Sequence, residues 1–191
     1  MPLSDAQTAW KLNFAAAAAR WNATLTDAQR EAWRAYAAQY PKRGTLGQTY
    51  FPTGQNRHAG CNAISQFYAL TWIDDPPLDR QCSQPAALII NSANSSPQSL
   101  SVTLSGSMLA TECWALSATP CTNVGFNNPA RLWRPLTSAF YALPWTTNAE
   151  GAYNAIFGPL RPSKKVWLKF QIANVAKGVI SQGITAAALV S

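Results

Sequence analysis

The sequence predicts an α+β protein: an N-terminal three-helix segment followed by an immunoglobulin/fibronectin-like antiparallel β-sandwich. Two observations carry this. The first third holds two copies of one helix-start grammar, Ser4-Asp5-Ala6-Gln7 before Trp10 and Thr26-Asp27-Ala28-Gln29 before Trp33. In each, a Ser or Thr side chain can accept the amide three residues on, and the Gln there can reach back to the cap's own amide. From about Ala86 onward the chain changes character, to short β-type runs separated by Pro, Gly, Asn and Ser.

Helix one is expected from about Asp5 to Trp21. Trp10, Phe14, Ala17 and Trp21 recur at helical spacing and form one apolar stripe. Helix two starts after Thr26 and ends before Pro41, which cannot continue it. Leu25, Gln29, Trp33, Tyr36 or Ala37, and Tyr40 share its face. Trp10, Trp21 and Trp33 read as the aromatic lock between these helices. Residues 43–53 read as a turn with a short extended arm at Thr49-Tyr50-Phe51. Helix three should run from Thr53 or Gly54 to about Trp72, with Cys61, Ile64, Phe67 or Tyr68, and Thr71 inward. Asp74-Asp75-Pro76-Pro77 then reads as a stiff, extended connector. This gives a helical head at 1–73, a Pro-rich linker at 74–86 and a β-sandwich at 87–191.

In the second half, Ala87–Ile90 reads as a first strand. Leu100, Val102 and Leu104 alternate with Ser and Thr as a second, half-buried one. Cys113, Ala115 and Leu116 mark a third. Ala130–Trp133 and Thr137–Tyr141 read as one strand broken by Pro135, and Ala152–Phe157 as another. Lys165–Val175 alternates most clearly: Val166, Leu168, Phe170 and Ile172 face one way, Trp167, Lys169 and Gln171 the other. Val179-Ile180 between Gly178 and Gly183, then Ile184–Val190, complete the set. About seven strands in this span, with regular turn signals, is a sandwich pattern. The Cys…Trp…Cys spacing of antibody domains is absent, which favours the fibronectin-like variant.

The chain has 191 residues, 48% of them hydrophobic and only 12% charged, so it can build a core but has few charges to keep an isolated surface solvated. The net charge of +7 is uneven. Arg131, Arg134, Arg161, Lys164, Lys165, Lys169 and Lys177 face only Glu112 and Glu150 in residues 86–191. No cationic start followed by an apolar stretch opens the chain, and no run reaches membrane-spanning length, so synthesis in a cytoplasm without a signal peptide or membrane span is expected.

Catalytic readings fail on inventory. The lone histidine, His58, has no Gly-x-Ser-x-Gly element to serve, and no Walker loop or G-x-G-x-x-G is present. Cys61, Cys82, Cys113 and Cys121 form no C-x-x-C pair; His58 and Cys61 at i, i+3 supply two ligands where a structural zinc site needs four. No catalytic, cofactor-binding or metal-ligating residue is therefore assigned. The candidate interface is basic and aromatic: Lys164, Lys165, Trp167 and Lys169 with Arg131, Trp133 and Arg134. Such a face can bind single-stranded nucleic acid, but the density is low and lysine stems can lie over tryptophan rings as surface cover. Nucleic-acid binding is expected to be at most weak and non-specific.

The segment Ala23–Ala37, with Leu25–Trp33 at its centre, the 53–68 helix and Asp75-Pro76-Pro77 together resemble a loosely defined group of uncharacterised bacterial and bacteriophage proteins. That group carries an L-T-x-A-Q-R-x-A-W helical head, a Pro-Pro linker and then a fibronectin type III-like domain. The resemblance covers most of the chain and implies an architecture, with no catalytic residues. This chain differs in its four cysteines and its charge-poor β half. The expectation is a structural subunit of a virion, a capsid, decoration or tail component, that contacts copies of itself or other virion proteins. A host-surface or glycan-binding module and a nucleic-acid-associated minor capsid or packaging component are the alternatives.

Overall fold

A computed structural model describes residues 5–43, 47–69, 71–129, 132–140 and 143–191. The chain is α+β and divides into two compact units, Met1–Gln81 with Asn174–Val179, and Cys82–Ala173 with Ile180–Ser191.

The first unit holds α1 (Asp5–Ala23), α2 (Asp27–Gln39) and α3 (Gly54–Ala69), with a two-stranded hairpin of β1 (Lys42–Arg43) and β2 (Thr49–Tyr50) between α2 and α3. The cap expected at Ser4 lies outside the described residues. The second cap is present in full: Gln29 N donates to Thr26 Oγ1 at 3.2 Å, and Thr26 N donates to Gln29 Oε1 at 3.0 Å. Only part of the α1 stripe is core. Ala17 and Trp21 are buried, whereas Trp10 and Phe14 stay 38% and 43% exposed. The aromatic lock is correspondingly different from the expected one. Trp21 and Trp33 both pack on His58, at ring-centroid distances of 5.7 and 5.3 Å, while Trp10 meets Phe67 edge-on at 5.3 Å.

Helix α3 ends at Ala69, short of Trp72, because the chain turns back along it. Asn62 Nδ2 donates to Ile73 O, Ile73 N donates to Asn62 Oδ1, and Ser65 bonds Thr71 through their hydroxyls. The helix is buried on more than one face: Arg57, His58, Cys61, Asn62 and Ser65 are core, and Ile64, Phe67 and Tyr68 are half-buried. Side chains from α1, α2 and the returning segment surround it, so no single apolar stripe describes its packing.

The segment expected to be a stiff, extended connector is tied to the helices. Arg20 grips Asp74 through Nε and Nη2, both at 2.8 Å, Trp33 Nε1 donates to Asp74 O at 2.7 Å, and Gln29 Nε2 donates to Asp75. The prolines keep the backbone extended, which leaves its carbonyls and carboxylates available to the helices. Residues 174–179, the turn between β8 and β9, also belong to this unit. Lys177 pairs with Asp79, and Gly178 adopts φ +59° against the Cys61 carbonyl. A Cβ there would collide with that backbone and sit in a left-handed conformation. Gly178→Ala should therefore cost roughly 2 kcal/mol in a urea titration, with the turn shifting outward to relieve the rest; an unchanged midpoint would show that the turn is not held there.

The second unit is a sandwich of two antiparallel sheets. One has the order β3 (Pro85–Ser95), β4 (Gln98–Gly106), β7 (Trp145–Asn148). The other runs β10 (Ile184–Leu189), β8 (Lys165–Asn174), β5 (Glu112–Ala118), β6 (Arg134–Ala139), with β9 (Val179–Ile180) paired to β8. Three strands facing five, with each sheet drawing on non-consecutive strands, make an antiparallel sandwich of the immunoglobulin/fibronectin-like kind. The core is made by alternate residues, as period two requires: Leu100, Val102 and Leu104 from β4, Trp114, Leu116 and Ala118 from β5, and Val166, Leu168, Phe170 and Ile172 from β8. Burial of each large member contributes about 1.5–3 kcal/mol. Pro135 is tolerated because β6 is an edge strand with a register shift opposite Leu116 and Ser117.

One strand expectation is corrected. Ala152–Phe157 belongs to a helix, α4 (Glu150–Phe157), and β7 lies just before it. Asn148 Oδ1 accepts the Glu150 amide, Asn154 Nδ2 donates to Glu150 Oε1, and Gly158 closes the helix at φ +76°. Tyr153 is its one buried residue and stacks on Phe157 four positions on, at 5.0 Å. The apolar residues here follow helical spacing, and the run is too short for periodicity alone to separate it from a strand.

Candidate functional site

Strand β8 is buried on one side by Val166, Leu168, Phe170 and Ile172, so Lys165, Trp167 and Lys169 must point outward. The antiparallel register sets Leu189, Ala187 and Thr185 of β10 beside them, all three exposed. Trp133 precedes β6 and reaches the same face, where Lys169 Nζ lies 5.3 Å from the centre of its ring. Lys165 Nζ lies 5.2 Å from the Trp167 ring. Contacts of this kind contribute about 0.5–1 kcal/mol at exposed sites.

Of the sequence-expected residues, the structure thus brings together Lys165, Trp167, Lys169 and Trp133. Arg134 Nη1 donates to the Trp133 carbonyl at 3.0 Å. Lys164 lies before the strand and donates from Nζ to Asn123 Oδ1 at 2.8 Å; Lys165 Nζ also reaches Asn127 Oδ1 at 3.3 Å. Arg131 lies outside the described residues. Burial pushes the Lys169 ammonium below the usual lysine range. The face therefore presents half-buried indole rings with Lys165 and Lys169 laid over them, and amide side chains already engage Lys164 and Lys165. It offers flat apolar area with a positive rim.

The buried polar groups of the sandwich serve its loops. Glu112 is buried, and its two oxygens accept the amides of Ser83 and Leu109, both at 2.9 Å. Among the described residues, no disulfide joins Cys61, Cys82, Cys113 or Cys121. Burial pushes Cys113 up to about 12 and raises Cys61, so both stay protonated near neutral pH. Tyr153 Oη donates to Cys121 Sγ at 3.4 Å. Among the described residues, no group of three or more His, Cys, Asp or Glu side chains is placed to hold a metal ion.

Sequence reasoning missed one cluster altogether. In the helical unit, Lys42, Arg57 and Arg80 line a pocket of about 220 Å³ together with Cys61. The available signal was Arg57 itself, a cation beside His58 in the first turn of α3. Among the described residues, no helix is long and apolar enough to cross a membrane. Compared with models of known protein families and with curated proteins, the chain matches none.

Proposed function

We propose that this chain is a structural subunit of a multi-protein particle, a bacteriophage virion or a similar assembly, acting through protein–protein contacts. The outward face of the larger sheet carries the reading. Trp167, Trp133, Ala187 and Leu189 offer apolar area, and Lys165 and Lys169 lie over the indole rings. Aromatic side chains with a charged rim suit a protein interface, and amide-engaged cations are less available to phosphates. The charge-poor composition and the resemblance of Leu25–Trp33 and the Pro-Pro segment to bacterial and bacteriophage proteins support the same reading.

Light scattering on the purified protein should give a mass of two or more chains, or the protein should be recovered with particles. A clean monomer at high concentration that also associates with no particle would remove the proposal. Substituting Lys164, Lys165 and Lys169 together should disrupt that association and leave only weak, salt-sensitive DNA or RNA binding in either form. Sub-micromolar nucleic-acid binding by the wild type at physiological salt would favour the packaging role instead. Its log–log salt slope should then flatten by roughly 0.7–0.9 for each phosphate that the substituted lysines had neutralised.

A further inference from the structure

The helical unit buries positive charge that it does not neutralise. Arg57 is 3% exposed, and its Nε and Nη2 have no hydrogen-bond partner among the described residues. The same holds for Arg80 Nε and Tyr36 Oη. Each of these four atoms carries a proton to donate, and Tyr36 lies within electrostatic reach of Arg57, Arg80 and Cys61. Unsatisfied buried donors are rare in native proteins. Three of the four belong to Arg57 and Arg80, which line one pocket, and that concentration points to an acceptor.

Nearby carboxylates are committed elsewhere. Asp27 pairs with Arg30, Glu31 with Arg34, Asp74 with Arg20 and Asp79 with Lys177, and Asp75 accepts from Gln29. Lys42, Arg57 and Arg80 are left as three cations around one pocket. Burial first, and the Arg80 charge next, push the Arg57 guanidinium below its ordinary range; burial and the two arginines do the same to Lys42. Mutual repulsion of this kind is relieved by a ligand of opposite charge.

We propose that this pocket binds a phosphate-class oxyanion, with Arg57 as the buried anchor and Arg80 and Lys42 completing the cradle. Three cations call for a multiply charged anion with several acceptor oxygens, and a guanidinium fork matches two phosphate oxygens at once. The volume of about 220 Å³ falls below the range of about 300–1,000 Å³ typical of drug-sized ligands. It suits inorganic phosphate or the phosphate end of a small monoester, with the Trp10 ring as an apolar wall. Burial holds the Cys61 thiol protonated in spite of the neighbouring cations, so the site binds without a thiolate nucleophile. The inference stands independently of the assembly role.

Calorimetry and thermal unfolding at pH 7.5 test it on the intact chain. Sodium phosphate and glycerol 3-phosphate are titrated against sodium chloride at matched ionic strength. Phosphate should bind saturably with Kd in the millimolar range or below, and raise Tm by roughly 5 °C at about 100 times Kd. Tighter binding of the ester identifies a small monoester as the source of the group; tighter binding of phosphate identifies the free anion. Arg57→Met should weaken binding by on the order of 100-fold. It should also raise Tm without phosphate, because an unpaired buried charge is gone. If that variant does not fold, Lys42→Gln and Arg80→Gln should each weaken binding about 5-fold or more, with Arg161→Gln on the other unit unchanged. An equal response to chloride, absence of saturation below about 10 mM, or a full response in the variants would overturn the proposal.

Discussion

Trp33→Ala should lower the stability of the helical unit by about 3–5 kcal/mol, several times the ~1 kcal/mol expected for Thr26→Ala. The Trp33 side chain is completely buried and meets Tyr36 and His58 edge-on, at 5.4 and 5.3 Å. Its removal leaves a large cavity between α2 and α3 and deprives the Asp74 carbonyl of its 2.7 Å donor. Trp33→Phe keeps most of the volume and loses only the hydrogen bond, so it should fall between the other two. Urea midpoints for the three variants order these effects. A Trp33→Ala midpoint no lower than that of Thr26→Ala would mean that the ring is a surface group and not the lock.

Acidification should destabilise the same unit through His58. His58 is fully buried and packs on the Trp21 and Trp33 rings. Burial lowers its pKa from 6.5 to about 4, with Asp74 and the Ala17 carbonyl opposing the change and Arg20 adding to it. The folded state therefore keeps His58 neutral while the unfolded chain binds a proton below pH 6.5. The stabilisation is complete above pH 6.5 and is lost as pH falls towards 4. Its full size is about 3 kcal/mol, at 1.36 kcal/mol per pH unit. The Asp74 carboxyl, held low mainly by its hydrogen bond from Arg20, titrates in a separate window below 3.8. Unfolding free energies at pH 7.5 and 4.5 should differ accordingly in the wild type, and the difference should largely vanish in His58→Gln. The same slope in both proteins would assign the pH dependence to other groups.

Several features of this molecule are written locally. The Thr26–Gln29 cap is a pattern of neighbouring hydrogen bonds, and it forms as its four residues dictate. Strand β8 alternates from Lys165 to Ile172, and its inward set there is buried because period two leaves those side chains no other face. The stop at Pro41 follows from a missing amide and a fixed φ. Such short-range signals suffice for the helical head, the sandwich, and the placing of Lys165, Trp167 and Lys169 on one outward face. Other features depend on partners far along the chain. Residues 150–157 could pair as a strand or coil as a helix, and the Asn148 side chain on the Glu150 amide and the site for Tyr153 decided for the helix. Asp74 and Asp75 look like linker charges until Arg20, Trp33 and Gln29 arrive from two helices. Gly178 looks like an ordinary turn glycine until the Cys61 carbonyl occupies the space of its missing Cβ. His58 and Arg57 are adjacent in sequence, yet the folded chain sets one between two indole rings and the other on a pocket with Lys42 and Arg80. Burial and charge pairing are sums over neighbours distant in sequence, so packing alone fixes which polar groups are left without partners.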